Sequence, residues 1–462
     1  MRPFWIEQAL SIDGELAPAL QGEQRADVCI VGGGFTGLWT AIQLKQQSPT
    51  QNITIIESDL CGAGASGRNG GCLLTWSAKF FTLRRLFGET EAIRLVIASE
   101  DAIQHIANFC QRHKIDAELR LDGTLYTATS KAQIGVLDPV INELEAHGIN
   151  SYQRLEPQEV ARRSGSARNL AGVYSPAAAT VHPGKLVRGL RRVALEMGVH
   201  IYERTPMLSF SGSKPITVRT PVGSIVCGKM VLAMNAWMAS RFKQFERTVA
   251  VVSSDMIITE KCPDLLQQIG LTDGVSVLDS RTFVYYYRST ADGRLMLGKG
   301  GNTFSWHGRV APVFDQRSPY EAQLTNSLHD FFPALRNTPI TASWNGPSDR
   351  SVTGFPFFGR LNDAPDIFYG FGYSGNGVGP TYMGAQILSS MVLGLDNAWT
   401  RGPLTQGPRG RFPPEPVRYL GSIVVRNAIR RKERAEDENR QPWRVDQMLS
   451  KLASAAGKAD KA

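Results

Sequence analysis

Three glycines, Gly32, Gly34 and Gly37, with Glu57 twenty residues further on, are the first group in the chain whose chemistry is defined by its order. A Gly-x-Gly-x-x-Gly run lets the backbone turn tightly from strand to helix, approach a diphosphate with no side chain in between, and pack the helix closely on the strand. The helix N-terminus then offers unpaired N–H groups to the anion, an attraction of about 0.3–1 kcal/mol per charge at exposed sites. A carboxylate at Glu57 can accept hydrogen bonds from ribose hydroxyls and would repel a 2′-phosphate. The glycines alone are a weak signal, and so is an acid after a strand. Strand, glycines, helix, strand and acid in that order specify dinucleotide binding.

Two further glycine-rich stretches narrow the ligand. Directly after Glu57, the segment CGAGASGRNGGC (61–72) holds five glycines between Gly62 and Gly71, and brings the side chains of Ser66, Arg68 and Asn69 to an extended anionic ligand. Much later, FGYSGNGVGP (371–380) precedes an apolar helical pattern over 381–393. The positive end of that helix would sit well beside the pyrimidine ring of a flavin, where the reduced cofactor carries negative charge. That task suits a flavin better than a nicotinamide.

These segments need scaffolding. Residues 27–31 and 53–57 read as short buried strands around a helix over 38–47, the opening βαβ unit of a dinucleotide-binding sheet. Helical patterns follow near 89–114 and 184–197, with strands near 119–129, 199–203 and 229–234, and β-rich, aromatic sequence from about 248 to 345. No repeat of 20–50 residues is present. The expected fold class is α/β (α+β overall): a Rossmann-like cofactor domain with a discontinuous, β-rich substrate domain. Residues 25–80, 150–245 and 345–400 are expected in the first, 81–149 and 246–344 in the second, and 408–462 in a basic C-terminal tail.

The βαβ unit, the GAGASGRNGG loop, the VLAMNAW strand end (231–237) and the GFGYSGNGVGP segment together resemble the D-amino-acid-oxidase-type FAD-dependent oxidoreductases. Within that family, the ASGRNGG loop is most similar to the gamma-glutamylputrescine oxidase-like branch. The resemblance spans roughly residues 25–400 and implies FAD. Its ADP moiety would lie on Gly32, Gly34, Phe35, Thr36, Gly37 and Glu57, and its diphosphate and flavin along Ser66, Arg68, Asn69, Gly70 and Gly71. Met207 matches a position that approaches the adenine through its backbone, and Gly375, Asn376, Gly377 and Val378 match the loop at the flavin's N1–O2 edge. Many relatives carry His where Asn376 stands.

The implied reaction is oxidation of the C–N bond of an amine or amino acid to an imine, which water hydrolyses to an aldehyde or keto acid. It calls for orientation of the C–H bond and a desolvated pocket that favours neutral amine, and for no dedicated acid or base. On the substrate side the candidates are Tyr285, Tyr287, Arg288, Lys299, Trp344 and Arg350, and Tyr286 falls by chain position in the same segments expected to face the flavin. Strand alternation puts Tyr285 and Tyr287 on one face and Tyr286 and Arg288 on the other, so only one set can enter the pocket. Arg288 or Arg350 would be the partner of a substrate carboxylate. Buried aromatics and solvent-facing cations are the plainer alternative for each of these residues, and His182 and His307 are expected to serve structure.

The remaining features mostly exclude. With 462 residues, 42% hydrophobic and 20% charged, the chain is long enough for two well-cored domains. Its six cysteines show no CxxC or Cys/His cluster, so neither a disulfide framework nor a metal is expected. No basic start leads into an apolar stretch, and no run of about 18 apolar residues occurs, which points to a cytoplasmic protein. Of the net charge of +9, the tail from residue 408 supplies +6, with 13 basic and 7 acidic residues. Its segment 419–434 reads either as an amphipathic helix for a membrane or partner surface, or as a helix docked on its own protein. The absence of a second dinucleotide motif and of a CxxxxC pair leaves oxygen or a membrane quinone as electron acceptor, the latter making the protein a membrane-associated dehydrogenase. A flavin-dependent nucleic-acid-modifying enzyme is a further alternative, but the mixed charges of the tail do not make nucleic acid the expected partner.

Overall fold

The computed structural model describes residues 2–453 except 363, and residues 457, 459 and 460. Val28, Cys29, Ile30 and Val31 are all buried, as befits a parallel strand covered on both faces. They end the strand Gly22–Val31, which pairs in parallel with Ile53–Ile56 (Val31 opposite Ile56) and with Gly223–Leu232 (Val31 opposite Leu232). His200–Tyr202 extends this first sheet beyond Ile53–Ile56, and Ala364–Phe371 followed by the antiparallel edge Phe357–Leu361 extends it on the other side. The helices Phe35–Gln47 and Pro380–Leu393 pack on each other over this sheet. Phe35–Gln47 is buried continuously from Phe35 to Leu44, so it carries no polar stripe for sequence periodicity to find.

A second eight-stranded sheet runs in the order Ile340–Ser351, Val249–Thr259, Leu295–Phe304, Tyr285–Ser289, Ser276–Asp279, Thr124–Ala128, Ala171–Ser175, Gln153–Leu155. Its membership differs from the division expected from sequence. Gln153–Leu155 and Ala171–Ser175 lie inside 150–245 yet pair in this sheet, and Ile340–Ser351 runs as one strand across the expected boundary at 345. Both departures have one cause: strands are assigned to a sheet by long-range pairing, which a local pattern does not record.

Two peripheral segments also join the core. The N-terminal helix Phe4–Ile12 inserts Trp5, fully buried, against His182 and Trp344, with ring centroids 4.9 and 5.7 Å away. In the tail, the helix Val417–Asp437 docks on its own protein through Ala428 and Ile429, the second of the two readings above. Its cations partly turn inward: Arg426 Nη1 donates to the Asn302 carbonyl (2.7 Å) and Arg430 Nη2 to the Asn302 side chain (2.9 Å). No helix among the described residues is long and apolar enough to cross a membrane.

Candidate functional site

Where the strand Gly22–Val31 ends, Gly32 holds φ +116°, and a Cβ there would stand 2.5 Å from the Ala233 carbonyl oxygen. Gly37 is closed in a different direction: its Cβ would meet the Gly32 carbonyl oxygen at 2.0 Å, so it serves the packing of helix on turn. Glu57 draws the turn together from the neighbouring strand. Its carboxylate accepts from Gly33 N–H (2.7 Å) and Asp59 N–H (3.0 Å), while burial pushes its pKa up against the opposing pull of these bonds. Ser66 Oγ accepts from Phe35 N–H at 2.8 Å, which fastens the second glycine loop to the N-terminus of the first helix.

The distant C-terminal glycine segment arrives at the same place. Thr36 Oγ1 donates to the Tyr373 hydroxyl (3.2 Å), Asn376 Nδ2 to the Thr75 carbonyl (3.3 Å), and Arg350 Nη1 to the Ser374 carbonyl (2.7 Å). Between these segments runs a cavity of about 610 Å³, within the size range of cofactor and ligand sites. One end reaches Glu57, Pro206 and Met207; the other reaches Gly375, Gly377 and Thr381 at the start of the helix Pro380–Leu393. From there it opens into a chamber under the second sheet, walled by Leu74, Met256, Leu278, Val284 and Phe314. Tyr286 and Ser254 are neutral polar groups of that chamber and share a hydrogen bond of 2.9 Å. Burial raises the Tyr286 pKa, so the phenol stays protonated.

A family model described as FAD dependent oxidoreductase matches residues 27–391. The chain belongs to that family. Among curated relatives, the probable oxidoreductase OrdL of Haemophilus influenzae is 26% identical over 388 residues, covering 82% of this chain and 85% of its own. The gamma-glutamylputrescine oxidoreductase of Escherichia coli is 27% identical over 403 residues, covering 86% and 91%. Glycine oxidase from Geobacillus kaustophilus shares the fold, with a TM-score of 0.69 at 20% identity over 84% of this chain and 99% of its own. FAD is therefore the cofactor of this oxidoreductase.

The residues present fit that group. Gly32 and Gly34 bring bare backbone to the cavity, and a Cβ could not be added at either, standing 2.5 Å from the Ala233 carbonyl oxygen and 2.9 Å from Ser66 Oγ. At the opposite end, Ser348 Oγ is buried at the cavity wall without a hydrogen-bond partner among the described residues. This is a polar atom of the kind a flavin's pyrimidine edge would satisfy.

Of the residues expected around FAD, Gly32, Gly34, Phe35, Thr36 and Glu57 border the cavity, as do Ser66, Arg68, Asn69 and Gly70, then Met207, Gly375, Gly377 and Val378. Gly37, Gly71 and Asn376 do not. Gly71 is behind the wall, where its Cβ would meet the Val181 carbonyl oxygen at 2.0 Å. The polar side chains of the second loop mainly hold that loop. Arg68 donates to the Ala63 and Asn345 carbonyls (2.7 and 3.2 Å) and pairs with Asp315 (2.6 Å); Asn69 bonds Ser66 O and Gly71 N–H, each at 2.8 Å.

The substrate-side expectations need larger corrections. Tyr285 bonds Ser327 (2.9 Å), and Tyr287 bonds Asn169 (2.7 Å) within the far core, because their strand face packs on the helix Glu321–Phe331 rather than on the cavity. Lys299 Nζ donates to the Phe283 carbonyl (2.8 Å) over the Tyr285 ring, and Trp344 Nε1 to the Arg68 carbonyl (2.9 Å). Arg288 is on the Tyr286 face but is pinned behind the glycine loop, donating to the carbonyls of Gly70 (2.7 Å), Val181 (2.8 Å) and Ser289 (3.1 Å) under the Trp5 ring. Arg350 alone of the six borders the cavity.

His182 caps the helix Pro183–Glu196, its Nδ1 accepting from Lys185 N–H and its Nε2 facing Gln8 Oε1, each at 3.0 Å. Burial, then Arg288 and Lys185, pull its pKa down to about 3, so it is neutral. His307 does not border the cavity. Absent from the sequence-based set were Ser254, Ser348 and Asp349. Asp349 accepts from Gly372 N–H, and burial pushes its pKa up to about 6. Chain position and the alternation in Tyr285–Arg288 both signalled Tyr286, and Trp237 lay unassigned within the VLAMNAW motif although it borders the cavity.

Proposed function

We propose that this oxidoreductase removes two electrons and two protons from the C–N bond of an amine or amino acid, leaving an imine that water splits into an aldehyde or keto acid and the released amine or ammonia. The observation that carries the reading is the continuity of the dinucleotide seat with a largely apolar chamber in which Tyr286 and Ser254 offer neutral polar groups and Arg350 stands on the wall. The names of the relatives, a gamma-glutamylputrescine oxidoreductase and glycine oxidases, support the same substrate class.

Bound FAD supplies the two-electron acceptor. The chain's own groups prepare the substrate. Burial among Leu74, Met256, Leu278 and Val284 penalises ammonium, so the amine stands neutral with its lone pair available. The Tyr286 hydroxyl, held by Ser254, gives the nitrogen a fixed hydrogen-bond partner without acting as a base. Gly70 lets the Tyr286 ring lie against the backbone, since a Cβ there would stand 2.5 Å from Cε2. The N-terminus of Pro380–Leu393 places its positive end by the Gly375–Gly377 loop. Arg350, on the cavity wall, is the partner for a carboxylate if the substrate carries one; Arg288, committed to three carbonyls, is not. Oxygen or a quinone then takes the electrons onward.

The test is an anaerobic screen of alkylamines, N-methylamines, polyamine derivatives and amino acids for loss of the bound flavin's visible absorption. At least one amine is expected to bleach it and to yield one carbonyl product per turnover when oxygen or a quinone is admitted. Failure of every amine to bleach a flavin that dithionite reduces would end this reading.

A further inference from the structure

The tail lies outside residues 27–391, the extent of the family match, and it presents two helical faces that nothing among the described residues covers. Along the helix Val417–Asp437, Val417, Leu420 and Val424 recur at helical spacing, and Arg431 and Arg434 continue the same face. The second helix, Arg444–Lys451, packs on the first and pairs Asp446 with Arg431 (2.6 Å). It turns out Val445 and Met448 between Trp443 before it and Leu452 after it. All seven of these apolar side chains are more than half exposed, Trp443 at 74% and Leu452 at 75%. Isolated exposed apolar residues are ordinary; seven on one two-helix element are not.

Charge selects the partner. Every acid from Glu415 to Asp446 is engaged inside the protein: Glu415 by Arg418, Glu433 by Thr282 N–H, Glu436 by Lys432, Asp437 by Arg281, Glu438 by Arg440 and Asp446 by Arg431. The exposed Arg434, Arg444 and Lys451 therefore leave the outward faces basic. A two-fold contact between copies through this element would bring those cations together, which disfavours self-association. Apolar side chains set among outward cations suit an anionic lipid surface, where the former enter the acyl boundary and the latter meet the headgroups. We propose that the two tail helices form a peripheral docking surface for anionic membranes. The inward face keeps the enzyme attached to it: Glu433 accepts from Thr282 N–H at 3.0 Å, and Thr282 borders the substrate chamber.

Full-length holoprotein is sedimented with sucrose-loaded vesicles of phosphatidylcholine containing phosphatidylglycerol, and with pure phosphatidylcholine, at low and high salt. Wild type is expected to pellet with the anionic vesicles at low salt and to stay in solution with the neutral ones. Trp443→Ser/Met448→Ser/Leu452→Ser and Arg434→Gln/Arg444→Gln/Lys451→Gln should each lower partitioning at least about tenfold, with flavin content and thermal midpoint unchanged. Absence of pelleting with anionic vesicles overturns the proposal. So does pelleting that ignores the apolar triple variant, which would mark charge-only adhesion of the kind nucleic acid gives, and so does a wild-type dimer that the same variant converts to monomer. None of these readouts depends on which substrate is oxidised.

Discussion

Along the first sheet the cleft is walled largely by backbone: Gly32, Gly34, Gly70, Gly375 and Gly377 bring the main chain itself to the ligand. Along the second sheet it is walled by side chains from separate strands, with Ser254 and Met256 on one, Leu278 on another and Tyr286 on a third. A backbone wall depends on the absence of Cβ atoms at fixed positions and tolerates little change. A side-chain wall depends on which strand face points inward, and single changes adjust it without breaking it. The two regions should therefore respond differently to substitution.

The largest effect belongs to the backbone wall. Gly32→Ala forces a side chain onto φ +116° and against the Ala233 carbonyl, and is expected to weaken FAD binding by about 4 kcal/mol, near 1000-fold. Flavin content and equilibrium titration of the apoprotein measure it; full retention of flavin would erase the contrast. Next is Arg288→Met, which strips donors from three buried carbonyls. A stability loss of about 3 kcal/mol is expected by urea unfolding, with the order of preference among amines unchanged. A changed preference would return Arg288 to the substrate side.

Asp349 sets a smaller, pH-dependent effect. Its native carboxyl titrates at about 6, above the roughly 3.9 of an unfolded chain, so the native state holds the proton more tightly between these values. Its contribution to stability falls by about 2–3 kcal/mol as pH rises from about 4 to about 6 and is level above. Asp349→Asn should lack that slope when both proteins are unfolded across the window. The smallest effect is expected at the side-chain wall: Tyr286→Phe should cost about 1 kcal/mol, roughly a fivefold fall in kcat/KM, with the thermal midpoint nearly unchanged. A fall of several hundredfold would make Tyr286 a far more central group than a positioned hydrogen-bond partner.

The same contrast explains what the sequence made legible. A glycine that must be glycine leaves a mark at its own position, so Gly32, Gly34, Glu57 and the 371–380 segment could be read one after another. The chamber leaves no such mark. Tyr285, Tyr286 and Tyr287 are identical as residues, and only the packing of Phe331 on one side and Gly70 on the other decides which enters. Arg288 resembled a substrate ligand because a guanidinium can clamp a carboxylate, yet three carbonyls from three segments satisfy it. The placement of Trp5 between His182 and Trp344, and of Ala171–Ser175 in the second sheet, rests on contacts far apart in sequence, which local pattern does not encode.

The measurement that tests the account most directly is the cofactor content of the purified protein combined with its anaerobic titration. Denaturation is expected to release close to one FAD per chain, and an amine added to the native protein without oxygen is expected to bleach that flavin in proportion to its concentration. A colourless protein that cannot be reconstituted with FAD, or one that binds a nicotinamide dinucleotide in its place, would contradict it.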